Sequence, residues 1–163
     1  MKKIIYATVC FVAIISGVGI HHLIVGIPSQ RRFDEAMAKW KQRGADSYLL
    51  KIHLSGRFFG PHGTQTIIVD KGKVVAVVTP SQIITYKEGL EKPSCHITVE
   101  RLFEMASQII RDRMLPSKSE WGSVRAIIRY DRVLGYPKYI SFDYPRVGDE
   151  ETRIIVLSLE LRP

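Results

Sequence analysis

The feature that most constrains this chain is an apolar run near its start. A short basic sequence precedes an apolar stretch from Ile4 to Ile27. About 24 residues of helix span about 36 Å, which is enough to cross a hydrocarbon core of about 30 Å. The sequence therefore predicts an N-terminal transmembrane helix, with residues 1–30 as a membrane anchor and residues 31–163 as a single domain. A cleaved signal peptide is the alternative, although the run lacks a small-x-small cleavage site near its end.

Charge and cysteine content restrict the partners of the chain. Its formal net charge is +8, but the basic residues are scattered rather than gathered on one face with aromatic residues between them. Nucleic acid is therefore not an expected partner. Attraction to anionic lipid headgroups explains the excess of basic residues at least as well as nucleic acid does. Cys10 lies in the apolar run and Cys95 in the domain, so no intramolecular disulfide is expected.

The first half of the domain shows a helical pattern followed by strand patterns. Residues 29–43 carry apolar side chains on one helical face, and Gly44 follows as a stop signal. Alternation of apolar and polar residues over 47–55 predicts a half-buried strand. The β-branched runs 64–70 and 73–79 are separated by a tight-turn sequence, which predicts a hairpin.

The second half repeats this plan. Thr98 is the predicted N-cap of a second helix, which ends before Pro116. Three further strands are predicted over residues 123–130, 137–143 and 153–161, giving the order α-β-β-β-α-β-β-β. Short connections favour antiparallel pairing. The sequence thus predicts an α+β protein in which the transmembrane helix is followed by one domain, an antiparallel sheet with helices on one face.

Several motifs of the second half resemble a known family. They are Thr98-Val99-Glu100-Arg101-Leu102-Phe103, Tyr130-Asp131-Arg132-Val133-Leu134-Gly135-Tyr136-Pro137 and Ile140-Ser141-Phe142-Asp143, with Asp149-Glu150 downstream. Over roughly residues 38–161 the chain is similar to the bacterial family catalogued as domain of unknown function 6174, found on lipoproteins and membrane-anchored exported proteins. The resemblance implies an exported domain and no activity. Family members often carry a cysteine pair after the first strand, where this chain reads Leu54-Ser55-Gly56-Arg57-Phe58-Phe59.

Two groups of residues are weak candidates for chemistry. Cys95 and His96 precede the second helix, where the helix dipole and a neighbouring imidazole can activate a thiolate. Adjacent residues rarely point towards each other, so an inert thiol is the alternative. Asp143, Asp149 and Glu150 offer oxygen ligands for Ca²⁺, but their spacing follows no Ca²⁺-loop pattern and a solvated hairpin loop is the alternative. No cofactor is expected.

A glycine-rich loop offers the best candidate contact surface. Arg57, Phe58 and Phe59 lie between Gly56 and Gly60, and two adjacent phenylalanines in such a loop are not both expected to be buried. Exposed aromatic rings mark contact surfaces. These three residues are therefore predicted to bind a protein or small-molecule ligand.

Taken together, the sequence predicts a membrane-anchored, single-pass protein whose domain is extracytoplasmic and acts as a non-enzymatic binding or interaction module. One alternative is an enzyme that depends on Cys95 and His96. The other is a domain that faces the cytosol and is held against anionic lipid by its basic residues. The identity of the ligand lies beyond the sequence.

Overall fold

The computed structural model of this protein describes residues 29–56, 62–85, 97–114, 124–144 and 151–162. These residues form two helices and one sheet. In chain order the elements are α1 (residues 29–43), β1 (Tyr48–Ser55), β2 (Gly63–Asp70), β3 (Lys73–Val78), β4 (Ile83–Thr85), α2 (Val99–Met114), β5 (Arg125–Tyr130), β6 (Pro137–Asp143) and β7 (Thr152–Leu161).

The strands form one antiparallel sheet with the order β4-β3-β2-β1-β7-β6-β5. The first strand of the domain therefore lies near the centre of the sheet, between β2 and β7. Tyr48 at the start of β1 pairs with Leu161 at the end of β7, so the pairing closes almost the whole domain into one unit. A register shift between Lys51 and Ile52 marks a bulge in this central pair.

Local sequence explains the hairpin between β2 and β3. Its two central residues, Lys71 and Gly72, have φ values of 49° and 76°, and Asp70 pairs with Lys73 across the turn. Positive φ at both central positions is typical of the type I′ turn, whose twist matches that of the flanking strands. The predicted hairpin is confirmed.

Both helices begin or end as their sequences indicate. Helix α1 ends at residue 43, and Gly44 follows with a φ of 61°, a conformation common just after a helix. The hydroxyl of Thr98 accepts a hydrogen bond from the backbone N–H of Arg101 at 3.2 Å, which satisfies one of the free amides of the first turn of α2. The predicted cap is confirmed.

The core lies between the helices and one face of the sheet. Alternate residues of β1, namely Tyr48, Leu50, Ile52 and Leu54, are buried, as the period-2 pattern of a half-buried strand requires. The helices bring aromatic residues to this core, and they touch each other where the rings of Phe33 and Phe103 meet edge to face with centroids 5.8 Å apart.

The turn between β5 and β6 supports α1. Asp131 accepts hydrogen bonds from the N–H groups of Val133 and Leu134 through its carboxylate, which closes an Asx-type turn. Gly135 follows with a φ of 85°, and a Cβ added there would overlap the carbonyl oxygen of Ala36 in α1. The glycine is therefore required both by its conformation and by the close approach of the helix.

The predicted order of the elements was wrong in one respect. The described chain has the order α-β-β-β-β-α-β-β-β, a seven-stranded antiparallel sheet with two helices, because β4 was not predicted. That strand has only three residues and all are exposed, so no alternation of buried and exposed positions reveals it.

The predicted transmembrane helix over residues 4–27 lies outside the described residues. Within the five described stretches, no helix is both long enough and apolar enough to span a bilayer.

Candidate functional site: a groove between the two helices

Most residues that the sequence singled out lie outside the described part of the chain. These are Arg57, Phe58, Phe59, Cys95, His96, Asp149 and Glu150, so their predicted roles stay predictions. Asp143 is described: it is half-buried at the end of β6 and pairs in register with Arg125 of β5. Among the described residues, no group of three or more histidine, cysteine, aspartate or glutamate side chains is arranged to hold a metal ion.

A groove of about 580 Å³ lies between α1 and α2. It is bordered by one stripe of each helix, because residues three, four and seven positions apart share a helical face. The stripe of α1 and the loop after it supply Phe33, Met37, Trp40, Lys41, Gly44 and Ala45, and the stripe of α2 supplies Glu100, Phe103, Glu104, Ser107 and Arg111.

Aromatic and aliphatic side chains dominate the lining of the groove. Phe33, Trp40 and Phe103 are each at least nine-tenths buried, so they are held by the core while they border the groove. Met37 is half-buried beside them, and its unbranched thioether adapts readily to the shape of a neighbouring group. Such a lining favours an apolar ligand group.

Charged residues surround this apolar lining. Glu104 is engaged in an ion pair with Arg101, whose Nη1 lies 2.7 Å from its Oε2. Lys41 and Arg111 form no ion pair with any described residue. Among the described residues, Lys41 and Arg111 are therefore the charged groups of the groove that remain available to a ligand.

Glu100 is committed to a hydrogen-bond network that joins three elements. Its carboxylate accepts from the indole N–H of Trp40 in α1 at 3.3 Å and from the hydroxyl of Tyr48 in β1 at 2.8 Å. The same hydroxyl accepts from the backbone N–H of Val99 at 3.1 Å. Burial, and then the negative charge of Glu100, raise the pKa of Tyr48 above its ordinary value.

The polar groups of this network are engaged with one another. Tyr48 is protonated at neutral pH, as a tyrosine with its ordinary pKa of about 10 also is, and both carboxylate oxygens of Glu100 already accept hydrogen bonds. The polar groups here fix the positions of the two helices that border the groove.

Sequence reasoning missed this groove. Phe33, Met37 and Trp40 belong to the apolar face predicted for residues 29–43, and Phe103 belongs to the second predicted helix. A helical stripe predicts burial against other elements, but it does not tell whether two such stripes pack completely or leave space between them. Charged residues, Lys41 and Arg111 among them, lie on the same faces as these apolar residues. They were the one sign in the sequence that the faces are partly open.

The fold and the groove define this protein as a small α+β domain with an apolar groove between its helices. The chain belongs to a family of unknown function (DUF6174), whose family model matches residues 32–161. The match covers every described strand and all of α2, so the predicted family is confirmed. No curated protein sequence matches the chain significantly.

The motifs that carry the family resemblance meet in space for structural reasons. Glu100 joins Trp40 and Tyr48 as described above. Tyr136 packs its ring edge-on against Trp40, with centroids 6.5 Å apart, and Pro137 begins β6. These contacts hold α1 on the sheet, and Trp40 and Glu100 also border the groove.

Proposed function

We propose that this protein is a non-enzymatic binding module that holds an apolar group of its ligand in the groove between α1 and α2. The observation that carries the proposal is the groove itself: about 580 Å³ of space bordered by Phe33, Met37, Trp40 and Phe103. Ligand sites are typically concave, lined mainly by apolar side chains, and equipped with a few polar groups that orient the ligand.

The charges at the groove narrow the chemistry of the ligand. Lys41 and Arg111 both border it, whereas Glu104 is already paired with Arg101. A ligand that combines an apolar group with a negative charge is therefore favoured over one that combines it with a positive charge. The ligand is a small molecule or a side chain of a partner protein. A position outside the cytoplasm, at a membrane, is the location that the sequence predicts for such a module.

The two alternatives remain open to direct tests. Catalysis by Cys95 and His96 requires that a thiol reagent reach Cys95 in the native fold, so absence of labelling contradicts it. A lipid-binding role for the basic residues requires that binding to anionic vesicles weaken as salt is added, because salt screens exposed charges.

The groove is tested with anilinonaphthalenesulfonate, an apolar anion whose fluorescence rises in apolar sites. We expect the native protein to bind it with a shift of the Met37 methyl resonance in NMR spectra. Ser107→Trp places an indole in the groove and is expected to abolish binding, because Ser107 borders the groove and is half-buried. Gln42→Trp is the matched control, since Gln42 is exposed on α1 and does not border the groove.

The outcomes are distinguishable. Loss of binding in Ser107→Trp but not in Gln42→Trp, with unchanged circular dichroism in both, supports the proposal. Equal binding by the two variants, or binding that leaves the Met37 resonance in place, assigns the dye to another surface and overturns it.

A further inference from the structure

The strand β5 forms one edge of the sheet. It pairs with β6 on one side, and it is the last strand in the sheet order. Within the described residues, the other side of β5 therefore has no strand to receive its backbone N–H and C=O groups. Proteins usually protect such edges, because an extended segment can add to them by main-chain hydrogen bonds.

A second cavity, of about 200 Å³, lies beside this edge. It is bordered by the start of α1, the last turns of α2 and most of β5, and its lining residues are Ser29, Arg32, Ile109, Ile110, Arg113, Ala126, Ile127, Ile128 and Tyr130. None of these residues borders the groove between the helices. The cavity has room for one apolar side chain of a segment that lies along β5.

The ionic side chains that line this cavity are both cationic. Arg32 and Arg113 are its only ionic lining residues, and neither forms an ion pair with another described residue. On the opposite face of β5, Arg125 and Arg129 are exposed at alternate positions. A strand that paired with β5 would therefore have cationic side chains on both of its faces, which favours carboxylates in that strand.

Two features of β5 point to an absent neighbour. Ile127, which lies between Arg125 and Arg129 on one face of the strand, is a large apolar residue that is 51% exposed. The hydroxyl of Tyr130 is buried, and no described group forms a hydrogen bond with it. Burial, and then the charge of Asp34, raise the pKa of Tyr130, so this hydroxyl stays protonated and can donate a hydrogen bond.

We infer that the free edge of β5 binds an extended acidic peptide segment, which adds a strand to the sheet, inserts one apolar side chain into the cavity and places carboxylates beside Arg32 and Arg113. The main-chain hydrogen bonds supply affinity, and the cavity and the arginines supply selection among sequences. The site is distinct from the groove, because no residue borders both.

The test uses the full-length chain and two synthetic peptides of about eight residues with blocked ends. In one peptide valine alternates with glutamate, and in the other valine alternates with lysine. We expect the acidic peptide to bind at least about tenfold more tightly than the basic peptide, as measured by fluorescence anisotropy. We also expect amide hydrogen exchange of residues 125–130 to slow when the acidic peptide is bound.

Charge variants separate this site from general electrostatic attraction. Arg32→Glu combined with Arg113→Glu is expected to weaken binding of the acidic peptide by at least about tenfold. Lys73→Glu is the control, because it changes the net charge in the same sense at the exposed start of β3, far along the sheet from β5. Its affinity for the acidic peptide is expected to stay within about twofold of that of the native chain.

Three results overturn the inference. The first is equal loss of affinity in the double variant and in Lys73→Glu, which indicates that the peptide is attracted by the net charge of the protein and not by a defined site. The second is binding with no slower exchange in β5, which excludes strand addition. The third is slow exchange of residues 125–130 that depends on protein concentration in the absence of peptide, which assigns the edge to a second copy of this chain. The groove proposal is unaffected by any of them.

Discussion

The hydroxyl of Tyr48 in β1 donates a hydrogen bond of 2.8 Å to Glu100 in the first turn of α2. Trp40 in α1 reaches the other carboxylate oxygen, so one carboxylate joins the central strand to both helices. A carboxylate at this end of α2 is also favoured by the positive end of the helix dipole. The two helices that border the groove are therefore held in place by a carboxylate that itself borders the groove.

Tyr48→Phe tests how much this hydrogen-bond network contributes to the free energy of unfolding. The change removes the donor to Glu100 and also leaves the buried N–H of Val99 without its acceptor. We expect the free energy of unfolding to fall by about 1–3 kcal/mol, as measured by urea denaturation. Tyr139→Phe, at a half-buried position of β6, is the control and is expected to change it by about 0.5 kcal/mol or less. Equal losses in the two variants contradict the role of the network.

Gly135→Ala tests the contact between the β5–β6 turn and α1. Alanine at a φ of 85° is strained, and its Cβ would also overlap Ala36 and lie 2.8 Å from Cβ of Lys39. We expect a loss of about 2–4 kcal/mol in the free energy of unfolding. Gly72→Ala is the matched control, because that glycine has a φ of 76° but nothing lies within 4 Å of an added Cβ. Strain alone is expected to cost about 1–2 kcal/mol there.

The two glycine variants are informative only in comparison. A loss in Gly135→Ala that is no greater than the loss in Gly72→Ala would mean that α1 moves aside at no cost. The close approach of α1 to the turn would then carry no weight in the stability of the domain.

Asp112 is a buried carboxylate in the last turn of α2, where the helix dipole disfavours negative charge. It accepts hydrogen bonds of 2.8 Å from the hydroxyl of Tyr144 and from the side-chain amide of Gln108. We expect Asp112→Ala to lower the free energy of unfolding by about 2 kcal/mol, because Tyr144 loses its acceptor in the interior. Arg113→Ala, one residue away and exposed, is expected to cost about 0.5 kcal/mol or less in thermal or urea denaturation.

The stability of the domain is expected to fall at alkaline pH. Burial, together with the nearby carboxylates Glu100 and Asp112, raises the pKa of Tyr48 and of Tyr144 above the value of about 10 that tyrosine has in an unfolded chain. Above pH about 10 the unfolded state therefore releases protons that the folded state retains. Since the unfolded state then binds fewer protons, the free energy of unfolding decreases as the pH rises.

Urea denaturation at a series of pH values from about 8 to 11 measures this dependence. The contribution that Tyr48 and Tyr144 make to the free energy of unfolding is fully present below pH about 10 and is lost progressively above it. Tyr144→Phe removes one of the groups and is expected to make the alkaline decline shallower. An identical slope in the variant and in the native chain would show that other groups, and not Tyr144, control the decline.

Much of the local structure could be predicted because short stretches of sequence determine it. The turn at Lys71 and Gly72 and the cap at Thr98 depend on a few neighbouring residues, and both were found as expected. The helices and all strands except β4 lie within about two residues of their predicted ends. The residue spacing of each element was enough because α-helices and half-buried strands impose different periods on apolar side chains.

The tertiary structure decided what depends on distant parts of the chain. Pairing of β1 with β7 joins residues about a hundred positions apart, and β4 exists only because β3 offers an edge to Ile83 and Ile84. The groove beside Met37 and the cavity beside Tyr130 likewise depend on how closely two elements approach. Sequence periodicity determines which face of an element is buried, whereas the gaps between packed faces are set by the volumes and positions of side chains from several elements at once.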